Sequence, residues 1–193
     1  VVVVFVTSIF TGMGVLVARF AGANQRELVS RSVYQAFLAS GALAVGVVAP
    51  LGYLLSPWLL GLVNATPEVQ AEALPYLRIM FVFSFGMMLF FMLTGAFRAA
   101  GDARTPMRIG IWYTLLNLVL NVILIRGMGP IPALGTTGAA LGTVIAGALV
   151  SAYTLALFFR GREVIVFERA MPWRPDWRII GELFRFGLPA GIQ

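Results

Sequence analysis

The chain has 193 residues, 60% of them hydrophobic and only 11% charged, with a formal net charge of +6 and a mean hydropathy of +0.91. A composition this apolar belongs to an integral membrane protein and excludes an ordinary water-soluble domain. With neither Cys nor His in the sequence, disulfides, thiol chemistry and imidazole metal sites are excluded as well.

The first predicted helix runs from Val1 to about Ala18 and ends at Arg19. Gly12 and Gly14, with Thr7, Ser8 and Thr11, thin one of its sides and predict close helix contact there. The chain opens inside this apolar run without an initiator Met or a basic leader, and it stops inside another, so it reads as a piece of a longer protein. A signal peptide and a secreted product are not expected. The stretch RFAGANQRELVSR that follows is polar and basic, with Gly22 and Asn24 as breakers, and predicts a loop over 19–31. A second span is expected over Ser32 to Leu62, with Pro50 and Pro57 kinking or ending it so that its membrane part stops near Leu55.

Residues 63–73, VNATPEVQAEA, make an acidic link in which Thr66 before Pro67 marks a helix start with Pro at the first helical position. The third span, Leu74 to Phe97, is rich in Phe and Met and interrupted by Ser84, Gly86, Thr94 and Gly95. Its Met and Phe run predicts packing or lipid contact rather than a binding box. The basic turn RAAGDARTPMR leads into a fourth span from Met107 to Ile125. There Arg108 is the only charge, in a stretch close to the roughly 20 residues a helix needs to cross a bilayer core. Within that span Tyr113, Asn117 and Asn121 fall four apart and share one helical face, while leucines and valines cover most of the rest. An unpartnered amide in hydrocarbon costs about 1–3 kcal/mol, so this wall should meet other helices or a wet cavity. Two readings stand open for it, interhelical glue and a functional site.

After the short Gly- and Pro-rich turn RGMGPIPALGTTG comes the fifth span, Gly138 to Phe159. Gly138, Gly142 and Ala146 at intervals of four form a ridge that lets helix backbones approach, and Thr143 sits beside it. The link RGREVIVFERAMPWRPDWR is the most basic of all, with Trp173 and Trp177 suited to a membrane interface. A sixth segment starts near Ile179 and carries Gly187, Pro189 and Gly191.

The arginines alternate. Arg19, Arg26 and Arg31 fall in the first link, Arg98, Arg104 and Arg108 in the third, and Arg160, Arg162, Arg169, Arg174 and Arg178 in the fifth. The second and fourth links hold only Arg126 between them. The positive-inside rule therefore puts the odd-numbered links in the cytoplasm, and it accounts for the basic charge without a nucleic-acid partner. No carboxylate lies deep in a span, since Glu27, Asp102, Glu163, Glu168 and Asp176 fall in cytoplasmic links and Glu68, Glu72 and Glu182 fall outside or near helix ends. Magnesium-dependent lipid chemistry and intramembrane hydrolysis thus lack their acid clusters or nucleophile pairs. The GAFRAAGDARTP turn lacks the Gly-Lys-Ser/Thr end of a phosphate loop. Many spans, helix-weakening Gly and Pro, and polar side chains on apolar helices make a transporter-like pattern.

Several pieces, in this order and spacing, resemble the multidrug and toxic compound extrusion (MATE) family of secondary transporters. They are LVARFAGANQRE, ATPEVQAEALPYLRI, FRAAGDARTPM, NLVLN and GPIPALGTTGAALGTVIAG. The resemblance implies an all-α multi-span bundle, five spans plus the start of a sixth, within a protein of two six-helix halves. Residues 1–160 would be the helices of the first lobe, 161–178 a cytoplasmic inter-lobe link, and 179–193 the start of the second lobe. It further implies a multi-pass protein of the bacterial inner membrane, monomeric at full length, that exports cationic or amphipathic compounds in exchange for Na⁺ or H⁺ and needs no other cofactor. Carried over residue by residue, the family's cation-linked site picks Asn117, Asn121 and Thr143, with Tyr76 a weaker match; the first three would be the oxygen donors to a Na⁺ ion. Some members carry Asp where this chain has Asn121. An amide oxygen accepts a hydrogen bond or a cation but releases no proton, so the coupling charge is expected from an Asp on a preceding helix. A lipid-linked oligosaccharide flippase of the same superfamily is the alternative, with a membrane enzyme or channel more remote.

Overall fold

The fold is that of a computed structural model describing residues 2–160, 165–167 and 173–191. It consists of helices: α1 (Val2–Gly22), α2 (Arg26–Leu43), α3 (Ala49–Leu62), α4 (Pro67–Val82), α5 (Ser84–Ala99), α6 (Arg104–Arg126), α7 (Gly135–Arg160) and α8 (Trp177–Gly191). An isolated bridge between Met128 and Ile131 in the α6–α7 turn is the only β pairing among the described residues. Arg162, Glu163, Glu168 and Arg169 of the basic link lie outside the described residues.

The helices extend beyond the apolar runs, and the links shrink accordingly. The expected loop over 19–31 is reduced to residues 23–25 between α1 and α2. Asn24 adopts a left-handed φ of 56°, and the chain closes with Asn24 N–H donating to the Ala21 carbonyl and Gln25 N–H to that of Phe20. Asn64, at φ 52°, ends α3 through the same pair of bonds, to Gly61 and Leu60. Both asparagines tolerate the left-handed turn that satisfies the last helical carbonyls. Thr66 does start α4 with Pro67 in its first turn, its hydroxyl accepting from Val69 N–H.

Two expectations about helix ends are corrected. Pro50 and Pro57 do not stop the second span, since Arg26–Leu62 is helical throughout. Residues Ala44–Val48, just before Pro50, widen instead into a π-helical turn. A proline lacks an N–H and crowds the carbonyl four residues back, here Gly46 inside that turn, and the wider winding relieves both faults. The third span is not one rod. It breaks at Phe83, and α4 and α5 meet at a bend of 52°. The break lies beside Gly86, whose carbonyl accepts from Ser151 Oγ of α7 at 2.9 Å; a methyl on Gly86 would lie 3.2 Å from the Ala148 backbone. The bent helix is thus pressed against α7 backbone to backbone.

Arg26–Leu62, Arg104–Arg126 and Gly135–Arg160 are each long and apolar enough to cross a membrane, and the bent α4–α5 pair qualifies as a further span. The core lies where the lower half of α1, the start of α2 and the end of α5 meet: Met13, Leu16, Val17, Val33, Met92, Leu93 and Phe97 are all buried, with Phe158 of α7 against Phe97. Met88, Phe90 and Met92 of the Met and Phe run are thus packed into the core, while Phe83 and Phe91 of the same run stay exposed. The α1–α8 contact is equally close. Gly12 faces the Leu183 carbonyl and Gly187 faces the Ser8 carbonyl, and neither position has room for a Cβ.

A second polar constellation fixes the approach to α8. Buried Gln35 donates to the Arg174 carbonyl and accepts from Asp176 N–H, each at 3.0 Å. Tyr34 Oη donates to the Trp173 carbonyl at 3.0 Å. Asp176 pairs with Arg31 at 3.2 Å and accepts from Arg178 and Ile179 N–H as the cap of α8. Trp173 stacks on Phe159 and meets Tyr34 edge-on, so it is docked on protein, whereas Trp177 is 78% exposed.

Candidate functional site

Helix α6 begins at a turn closed by Asp102, whose Oδ1 accepts from Arg104 N–H at 2.9 Å and Thr105 N–H at 3.0 Å. Burial pushes the Asp102 carboxyl up. The hydrogen bonds from Thr105 and Arg104 and the nearby Arg108 charge outweigh it, so the group sits below its ordinary range. Arg98 turns back on its own helix to the Thr94 carbonyl and hydroxyl. These residues organise the turn.

From that turn α6 runs to Arg126 and returns as α7 after Gly127, whose φ of 73° suits a residue without a side chain. Leu134 N–H donates to the Leu124 carbonyl at 2.9 Å, pinning the return. Along α7, Gly138 then lies against the Leu124 carbonyl and Gly142 against Asn121. The small-residue ridge predicted on α7 is the surface that α6 occupies.

Within this contact the polar residues join into one directed chain. Asn121 Nδ2 donates to Asn117 Oδ1 at 3.1 Å. Asn117 Nδ2 donates to Thr143 Oγ1 at 3.2 Å, and Thr143 Oγ1 donates to the Ala139 carbonyl at 2.9 Å. Every proton points from Asn121 toward α7. Turning one amide alone would set oxygen against oxygen or nitrogen against nitrogen between Asn117 and Asn121, so the two amides share one direction. It leaves one acceptor over: Asn121 Oδ1 is shielded from solvent and has no hydrogen-bond partner. Asn117 Oδ1 and Thr143 Oγ1 each keep a lone pair. Three oxygens on two facing helices, with no charge of their own, can accept a donor or gather around a small hard cation.

The other predicted residues are placed differently. Tyr113, on the same face of α6, stacks on Phe90 at 4.6 Å and belongs to the packing. Tyr76 is half-buried on α4, and its hydroxyl does not enter the chain of bonds. Helix α4 reaches α7 one turn earlier, where Thr136 Oγ1 donates to Glu72 Oε2 at 3.2 Å. That bond lies beside an open crevice of about 390 Å³ lined by Glu72, Pro75, Leu134, Gly135 and Thr136. Arg78 lies over the Tyr53 ring at 4.4 Å on the α3–α4 seam. Sequence reasoning missed the Gln35 contacts; the signal available was a lone Gln in an apolar helix. Among the described residues no cluster of three or more acids suggests a metal site.

Comparison with known proteins shows the family of the chain and the fold it shares. The family model MatE matches residues 1–123, a range that includes both asparagines. A probable multidrug resistance protein NorM from Thermotoga maritima is 28% identical over 99% of this chain and 41% of its own length. A probable multidrug resistance protein NorM from Pseudomonas putida is 33% identical over 97% of the chain and 40% of its own length. The inward-facing structure of a multidrug resistance MATE family transporter of the MOP superfamily superposes with a TM-score of 0.81 at 23% identity, over 99% of this chain and 42% of that one. The chain thus spans about two-fifths of the proteins it matches.

Proposed function

Because the chain belongs to the MatE family, we propose that it forms part of a secondary transporter that exports cationic or amphipathic compounds across the bacterial inner membrane in exchange for Na⁺ or H⁺. Residues 1–160 supply helices of one lobe, 161–178 the cytoplasmic link between lobes, and 179–193 the start of the second. The names of the relatives and the alternation of arginine-rich and arginine-poor links support this reading.

The observation that carries it is the directed chain from Asn121 through Asn117 and Thr143 to the Ala139 carbonyl, set between helices that are otherwise apolar. Polar groups at such a depth face a neighbour or a wet cavity and mark ion or solute pathways. Amides and a hydroxyl supply oxygens but no titrating proton, so they would serve Na⁺ directly, or hold the partner of a proton-carrying carboxylate elsewhere in the protein. Tyr76, half-buried on α4, would act on the solute, not on the amide chain.

Asn117→Leu in the full-length protein tests the reading. Removing an interaction worth about 1.4 kcal/mol should lower coupled export roughly tenfold while insertion into the membrane is unchanged. Unchanged drug efflux from vesicles would overturn it. A lipid flippase would instead move labelled lipid between leaflets; Arg78, stacked on Tyr53, does not supply the basic cavity that such a substrate needs.

A further inference from the structure

We propose that Gly142 is a notch in which the Asn121 carbonyl oxygen is parked, and that the depth of this notch sets how readily the amide site takes up a monovalent cation. This rests on reading Asn117, Asn121 and Thr143 as cation-linked.

The oxygen is fully shielded and receives no hydrogen bond. A Cβ on residue 142 would overlap it, so Asn121 Oδ1 fills the space that any other residue would give to its own side chain. The backbone there is close as well, since the same Cβ would lie 3.2 Å from Asn121 N, and it would stand equally near the side-chain Cγ. A methyl there meets the amide oxygen first and displaces it, and the α6 backbone then has only a few tenths of an ångström to yield. The opposite end of the amide is engaged as well, because its Nδ2 holds Asn117 Oδ1 at 3.1 Å. Parking therefore occupies two of the three oxygens at once, one in the notch and one under the neighbouring N–H.

A rotation of Asn121 about its side-chain bonds withdraws the oxygen from α7 and releases Asn117 Oδ1 in the same movement. Both then become available, together with the free lone pair of Thr143. The parked and released forms make a two-state element in which only the released form presents the full set of oxygens. The apparent affinity for a cation is reduced by the fraction released. Glycine at 142 favours parking, and any larger residue favours release. Gly142 touches no ion in this scheme; it is a positioning residue that acts through Asn121.

The test uses the intact protein purified in detergent, with Na⁺ alone as probe. The Na⁺ concentration giving half of the thermal stabilisation is read against choline chloride. Gly142→Ala should lower that concentration by about fivefold or more, because the parked competitor is removed. Asn121→Ala should respond weakly or not at all, and the Gly142→Ala, Asn121→Ala double variant should match Asn121→Ala. A purely structural role for Gly142 would persist in the double variant. A Gly142→Ala protein that needs as much Na⁺ as its parent, or more, overturns the inference, and so does a double variant that still shows the tightening. Absence of any Na⁺ response overturns it too. Should Gly142→Ala fail to fold, the side-chain amide of Asn121, followed by nitrogen-15 NMR in the unaltered protein, must shift with Na⁺ and not with choline; no shift counts against parking. Drug export by the unaltered protein is measured separately in proteoliposomes, so failure of the transport reading is seen there, whatever the Na⁺ curves show.

Discussion

Two polar constellations interrupt this apolar chain, and they differ in what they leave unpaired. Between α2 and the approach to α8, Gln35 uses both ends of its amide, Asp176 takes an arginine and two helix N–H groups, and the group left over is a cationic donor, Arg31 Nε. Between α6 and α7 the bonds run one way and leave the Asn121 oxygen over. Closure is what a structural joint needs, because each buried polar group left unpaired costs stability. An open acceptor in a membrane protein points to something that comes and goes. Polarity by itself does not separate the two regions, whereas the kind of group left over does, a charged donor in one and a neutral acceptor in the other.

The contrast makes opposite demands on substitution. Gln35→Leu should be the most damaging change to stability, about 2 kcal/mol, because it strands the Arg174 carbonyl and the Asp176 N–H together. Its thermal unfolding midpoint should fall, and trypsin should cut the link between α7 and α8 faster. A link as resistant as that of the parent would show that the joint is not held by this amide. Asp176→Ala comes next, at about 1 kcal/mol, mostly from the lost cap of α8; its partner Arg31 adds little, since both side chains of that ion pair are partly exposed. Thr143→Val, in the other region, should cost only about 0.6 kcal/mol, the average worth of an interhelical hydrogen bond in a membrane. Its effect on coupled export should be far larger than on the melting midpoint. If Thr143→Val unfolded the protein as readily as Gln35→Leu, the two regions would not differ in kind.

The rods and their order could be read from the sequence because hydrophobic runs and arginine spacing are properties of each segment alone. Thr66 followed by Pro67 announces α4, and Asn117 with Asn121 announces a polar face, for the same reason. The ridge of Gly138 and Gly142 even identifies the surface that α6 uses. What could not be read depends on how one helix is rotated against another. The break at Phe83 comes from Gly86 pressing on α7, and the π-helical turn before Pro50 is one of several ways to absorb a proline. The Gln35 joint links residues far apart in sequence, and the direction of the amide chain needs Thr143 to be in place across the interface.

The smallest expected effect belongs to neither constellation but calibrates both. Asp102 is a satisfied carboxylate like Asp176, yet it caps an exposed turn, so removing its charge should cost less than any change above. The group's ordinary pKa is 3.8 and the folded protein holds it lower. A carboxyl whose folded pKa is depressed contributes stability that is fully present above the unfolded value and disappears as pH falls through the folded one. The unfolding midpoint of the intact protein should therefore decline slightly on acidification below that ordinary value, and Asp102→Asn should remove this part of the decline. Were Asp102→Asn to steepen it, the hydrogen bonds from Arg104 and Thr105 would not be what lowers the pKa, and the turn before α6 would owe its shape to the arginines around it.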